Sequence, residues 1–306
     1  MDFVLNFASG AQFAALEAPL ALAAHARELL APLLALVALH AAAEFAVPAL
    51  KPGVYDFLRK PRRPGASSGA SSSAAAGTAA GAAAEEAAVA RAAARDGRNK
   101  IVASAFAAYV SALSLAALAS GAAAEQLRLD PFASTPATEH LMRVAAAYFA
   151  YDVATLALWD RGDTEPVFLL HGALCLWVFA CSLQPFLHYM GLVTLLFELS
   201  TPFLHARLAL IAAGRGGGAL FGAANWLFAG SFVGARVLFG CWAIFAPGQW
   251  WWQMEALLAR GDARLHGASV VRAYQACAVM LSALNLLWTA KIAAGCARTR
   301  KDKKDG

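Results

Sequence analysis

Apolar residues are gathered into seven stretches of the chain, near 29–50, 101–121, 141–160, 167–184, 186–211, 220–246 and 269–293, with polar or basic connections between them. A helix needs about 20 mostly apolar residues to cross a bilayer, and each stretch is of about that length, 167–184 being the shortest. At membrane depth every backbone N–H and C=O has to be satisfied within its own segment, which leaves helices or closed barrels. The alternation of a barrel strand is absent. The pattern therefore predicts an all-α, polytopic membrane bundle of about seven transmembrane helices.

Composition points the same way. Of 306 residues 60% are apolar and 15% charged, against about 25% charged in soluble chains. The net charge of +5 resides in blocks between apolar runs and at the tail. No nucleic-acid partner is therefore expected. Cys175, Cys181, Cys241, Cys277 and Cys296 are scattered without a C-x-x-C pair, which argues against a disulfide framework or a zinc site. The first basic residue is Arg27, so the start lacks the charged region of a cleavable signal.

The basic blocks predict topology. Lys51, Arg59, Lys60, Arg62, Arg63, Arg91, Arg95, Arg98 and Lys100 follow the first run, and Arg298, Arg300, Lys301, Lys303 and Lys304 follow the last. With seven crossings, Arg161, Arg207 and Arg215 join them on the cytosolic side, and Arg128, Arg260 and Arg264 lie in opposite-side loops. This satisfies the positive-inside rule with a lumenal N-terminus and a cytosolic C-terminus. Four parts result: 1–60 with the first span, an Ala/Ser/Gly-rich flexible cytosolic insert at 61–96, a helical domain at 97–296, and a basic tail at 297–306. The insert lacks the bulk to bury a core, although Glu85–Arg95 is rich enough in alanine for a short helix. Trp250, Trp251 and Trp252 read as an interfacial aromatic belt.

Several blocks carry a family resemblance: Tyr148-Phe-Ala-Tyr-Asp152, Leu169-Leu-His171, Glu198-Leu-Ser-Thr-Pro-Phe203, Asn225, Arg236 and Asn285-Leu-Leu-Trp288. Over about two thirds of its length the chain resembles the TLC (TRAM–LAG1–CLN8) family, which includes the ceramide synthases. The Glu198–Phe203 block looks most like the branch of TLC domain-containing protein 4, also grouped as transmembrane protein 56. The resemblance implies a six-helix TLC domain preceded by one extra span. Ceramide synthases carry two adjacent histidines where this chain reads His171-Gly172, and paired aspartates ahead of the glutamate that is Glu198 here. The resemblance thus implies the scaffold more strongly than the acyl-transfer reaction.

Buried polarity supplies the candidate site. An ionised Asp at the centre of a transmembrane helix costs about 2.5–3.5 kcal/mol on insertion scales, so Asp152 and Glu198 are expected to face a polar interior. His171 and Arg236 are their candidate partners. If the protein is an enzyme, His171 would move a proton while Asp152 orients it; otherwise these groups pair helices. Ser200, Thr201 and Pro202 beside Glu198 predict a break in the helix at a cavity, and Asn225 is expected to bond across helices. The expected polar core is therefore Asp152, His171, Glu198, Ser200, Thr201, Asn225 and Arg236. His25, His40, His140, His188, His205 and His266 lack metal-ligand spacing, so no metal is expected. Lys303 and Lys304 resemble a dilysine signal for the endoplasmic reticulum.

The functional expectation is a lipid-handling membrane protein that influences membrane lipid composition. The alternatives are a ceramide-synthase-like acyltransferase and a transporter or trafficking receptor. No cofactor is expected, acyl-CoA entering as substrate only for an acyltransferase. Membrane lipids are the expected partners, and a homo-oligomer is compatible with the sequence.

Overall fold

The computed structural model describes residues 18–49, 79–158, 166–212, 215–262, 264–265 and 267–305. The block 51–63, the first half of the insert, Arg161 and His266 lie outside them. All elements among the described residues are helical. They are α1 (Ala26–Ala49), α2 (Ala79–Leu118), α3 (Ala122–Leu129), α4 (Pro136–Leu158), α5 (Pro166–Cys181), α6 (His188–Leu195) and α7 (Thr201–Ala212), then α8 (Ala219–Phe232), α9 (Gly240–Phe245), α10 (Trp250–Arg260) and α11 (Ala268–Asp305).

Among the described residues, five helical stretches are long and apolar enough to cross a bilayer: Ala26–Ala43, Asn99–Leu118, Pro136–Leu158, Ala219–Arg260 and Ala268–Ala294. The fourth contains a non-helical turn at 246–249, after α9. The two other apolar runs take different forms. The run at 167–184 forms the 16-residue α5, and that at 186–211 is interrupted by a 3-10 segment, Leu196–Ser200, between α6 and α7. Pro202 explains the interruption, because without an N–H it cannot bond back to the carbonyl of Glu198. The second half of the insert, from Ala79, forms one helix with the span that follows. High alanine content favours such continuation.

The described chain divides into two compact units. One comprises the residues through Leu36, Phe106–Ser200 and those from Ala229 onward; the other comprises Val37–Ala105 and Thr201–Phe228. In the second unit, Ser104 Oγ lies 2.7 Å from His205 Nδ1, and Arg207 Nε donates to Asn225 Oδ1 at 2.8 Å.

In the first unit, local chemistry sets where α4 begins. Thr135 and Thr138 exchange bonds, Thr138 N–H to Thr135 Oγ1 at 3.2 Å and Thr135 N–H to Thr138 Oγ1 at 2.9 Å, and Pro136 occupies the first helical position. This reciprocal cap satisfies otherwise orphaned donors. Thr138 Oγ1 also meets His188 Nδ1 at 2.9 Å, and His188 Nε2 lies 3.0 Å from the Ser182 carbonyl. Leu187 turns the chain with a left-handed φ of 59°, an uncommon conformation for a leucine, and its N–H bonds the Pro131 carbonyl at 2.7 Å.

Polar contacts tie several elements of this unit together. Arg143 Nη1 pairs with Glu28 at 3.2 Å, joining the start of α1 to the start of α4. Arg264 pairs with Asp130 at 3.7 Å and lies 4.3 Å over the Phe132 ring. Arg264 also bonds Asp262 and holds its half-buried carboxyl down to about 2. Any stabilisation from that pair is present above the ordinary Asp value of 3.8 and is lost as pH falls through about 2. Arg272 bonds Glu255, linking α11 to α10. The tryptophan trio divides: Trp252 is 54% exposed, whereas Trp250 is 5% exposed and packs with Met254, Phe186 and Tyr274.

Gly240 sits where α9 meets the 3-10 segment. A Cβ there would lie 2.6 Å from Phe197 Cζ and 2.8 Å from its Cε1. Gly240→Ala is expected to destabilise the protein by about 1–3 kcal/mol through overpacking, and Phe197→Leu in the same chain should recover much of the loss. Thermal unfolding in detergent of both single variants and the double variant checks this; additive losses would contradict it.

Candidate functional site

Arg236 is carried inward by a π-helical stretch, Val233–Phe239, between α8 and α9. The wider turn breaks the regular helical register, and such bulges recur at functional sites. Arg236 is only 7% exposed. Its Nη2 lies 3.6 Å from Glu198 Oε1, and its Nη1 donates to Asn285 Oδ1 at 3.4 Å. Aromatic rings flank it, Phe232 at 5.0 Å and Phe197 at 6.0 Å from Cζ. Arg236 Nε is a buried donor without a hydrogen-bond partner. Both polar contacts are long, so the cation is enclosed by acceptors more than it is clamped by them.

Glu198 owes its place to the 3-10 segment that begins at Leu196. Ser200, buried beside it, turns its hydroxyl back to the Phe197 carbonyl at 3.3 Å. Thr201 begins α7 in the second unit, where Asn225 bonds Arg207. Of the seven expected polar-core residues, Asp152, His171, Glu198, Ser200 and Arg236 lie in the first unit, and Thr201 and Asn225 in the second.

His171 is on α5. Its ring meets Trp288 edge to face, with centroids 5.5 Å apart, and Cys175 Sγ lies 3.8 Å from Nε2. Asp152 approaches α5 at the next residue: a Cβ on Gly172 would lie 3.2 Å from Asp152 Oδ2 and 3.2 Å from Val153 Cγ2. Glycine thus lets α5 close onto α4, and any side chain at 172 would contact the carboxylate. Tyr148, one turn before Asp152 on α4, stacks on Phe106 with centroids 3.6 Å apart.

Sequence reasoning left Cys175, Tyr148 and Asn285 out of the expected site. Cys175 could have been found from its i, i+4 spacing to His171, and Asn285 from its place in the Asn285–Trp288 block. Among the described residues, no group of three His, Cys, Asp or Glu side chains is arranged to hold a metal.

The family model for the TRAM–LAG1–CLN8, or TLC, domain matches residues 97–294. The chain belongs to the TLC-domain family. Within its TLC domain lie Asp152, His171, Glu198, Arg236 and Asn285, while α1 precedes it. This makes the protein a membrane protein of a family linked to lipid metabolism or sensing. No curated protein and no solved structure gives a significant match.

The TLC domain's central pair has a measurable consequence. Glu198→Ala leaves the Arg236 charge buried without its counter-charge, an effect of about 3–5 kcal/mol for buried pairs. Glu198→Ala combined with Arg236→Met should be more stable than Glu198→Ala alone. Thermal unfolding in detergent reads this difference; a double variant no better than the single would show that Arg236 does not depend on Glu198.

Proposed function

We propose that this protein binds membrane lipid within its TLC domain and so influences membrane lipid composition. The observation that supports this reading is the enclosed Arg236–Glu198–Asn285 group, with Phe197 shared between it and the wall of an apolar cavity. Charge kept inside a membrane bundle implies a polar interior, and an apolar space beside it suits an amphipathic ligand. The chain is read as the TLC domain-containing protein 4 type, with seven crossings, resident in the endoplasmic reticulum through Lys303 and Lys304. In this arrangement α5 and the interrupted α6–α7 supply the two crossings beyond the five long ones.

The His171-Gly172 step favours lipid handling over acyl transfer. The surface at 172 faces Asp152, and the second imidazole of the ceramide synthases has no counterpart there. Lipid mass spectrometry of the purified protein should recover lipid above a detergent control, and Glu198→Ala should change its amount or kind severalfold. Absence of lipid in folded native protein would remove the reading. Acyl-CoA with a sphingoid base should give no amide product; turnover abolished by His171→Ala would establish an acyltransferase instead.

Topology is tested separately. A glycosylation acceptor fused to the N-terminus should be modified and one at the C-terminus should not. Modification of both ends would give an even crossing number.

A further inference from the structure

The last helix continues past the end of its apolar stretch. α11 runs from Ala268 to Asp305, whereas the stretch suited to a bilayer closes at Ala294. Positions 298–305 read Arg-Thr-Arg-Lys-Asp-Lys-Lys-Asp, five basic and two acidic residues with no apolar one. A helix that is polar all round has no stripe with which to pack on protein, so charge has to support it.

Within the helix the charges oppose one another. Arg298 and Lys301, Arg300 and Lys303, Lys301 and Lys304, and Arg300 and Lys304 stand three or four positions apart, the spacing at which like charges destabilise a helix. Opposite charges at that spacing are fewer, Arg298 with Asp302 and Lys301 with Asp305. The negative end of the helix dipole favours cations in the last turn and offsets part of the repulsion. The excess positive charge still calls for anions from outside the helix.

The span roots this helix in the bilayer, so the anions always within reach are lipid headgroups. Along the axis, Arg298 stands about 6 Å and Lys304 about 15 Å beyond Ala294. The headgroup layer extends about 5–7 Å past the hydrocarbon, and screening at physiological salt takes about 8 Å more. All five basic positions therefore remain within the field of an anionic leaflet, which attracts basic segments directly after a transmembrane helix. Because the segment is already helical, less chain entropy is lost on binding than a coil would lose.

We propose that the continuation of α11 past Ala294 binds anionic phospholipid headgroups of the cytosolic leaflet, with Arg298, Arg300, Lys301, Lys303 and Lys304 supplying the charge. The proposal rests on the cytosolic C-terminus of the reading above and not on lipid bound within the TLC domain.

The test uses the full chain in nanodiscs of phosphatidylcholine and phosphatidylserine in equal amounts, with photoreactive benzoylphenylalanine in place of Ala297. Light should attach about fivefold more phosphatidylserine than phosphatidylcholine, the scale set by one basic residue at the surface. The excess should vanish in 1 M salt. The combined variant Arg300→Gln, Lys301→Gln, Lys303→Gln and Lys304→Gln should label both lipids equally, and a photoreactive residue in place of Trp252 should show no preference. Equal labelling at 297 in the otherwise native chain would overturn the proposal, as would a preference that survives the four substitutions or appears equally at 252. Nanodiscs expose both faces, so a failure here leaves the topology standing, and a lumenal C-terminus in the glycosylation test leaves this binding result standing.

Discussion

A cation enclosed within hydrocarbon needs opposing charge and acceptors from the protein itself, since the surrounding lipid tails offer neither. Arg236 meets this requirement with Glu198, Asn285 and two aromatic rings. Much of the surrounding backbone is irregular at the points that make this meeting possible. The π-helical stretch carries Arg236, the 3-10 segment carries Glu198, and Gly240 admits Phe197 against the helix that follows. Departures from regular α-helix inside a bilayer are tolerated where protein covers them, and here they coincide with the charged centre.

The same centre connects to the proposed chemistry. Gly172 brings α5 against Asp152, next to His171, whose ring lies near the Cys175 thiol. Phe197 lies both beside the Arg236 guanidinium and in the wall of the apolar cavity, so one ring borders a polar and an apolar space.

Much of the fold was legible from hydropathy. Membrane burial rewards continuous apolar length, so the helices around 26–43, 99–118, 136–158 and 268–294 follow directly from their residues. Pro202 and its neighbouring hydroxyls marked the break beside Glu198 for an equally local reason, the missing N–H. The continuation of the second long helix back to Ala79 was less legible, because an alanine-rich segment is compatible with both helix and coil until its neighbour is helical.

By itself the sequence determined membrane class, helical content, family and the residue types that must avoid lipid, because each depends on composition or on local periodicity. Tertiary structure decided the partners. Arg236 faces Glu198 and Asn285, Arg207 takes Asn225, and Trp250 turns inward while Trp252 stays out. These outcomes depend on where helices distant in the chain meet, and on a π-helical turn that shifts side-chain direction. No spacing within a single segment encodes them.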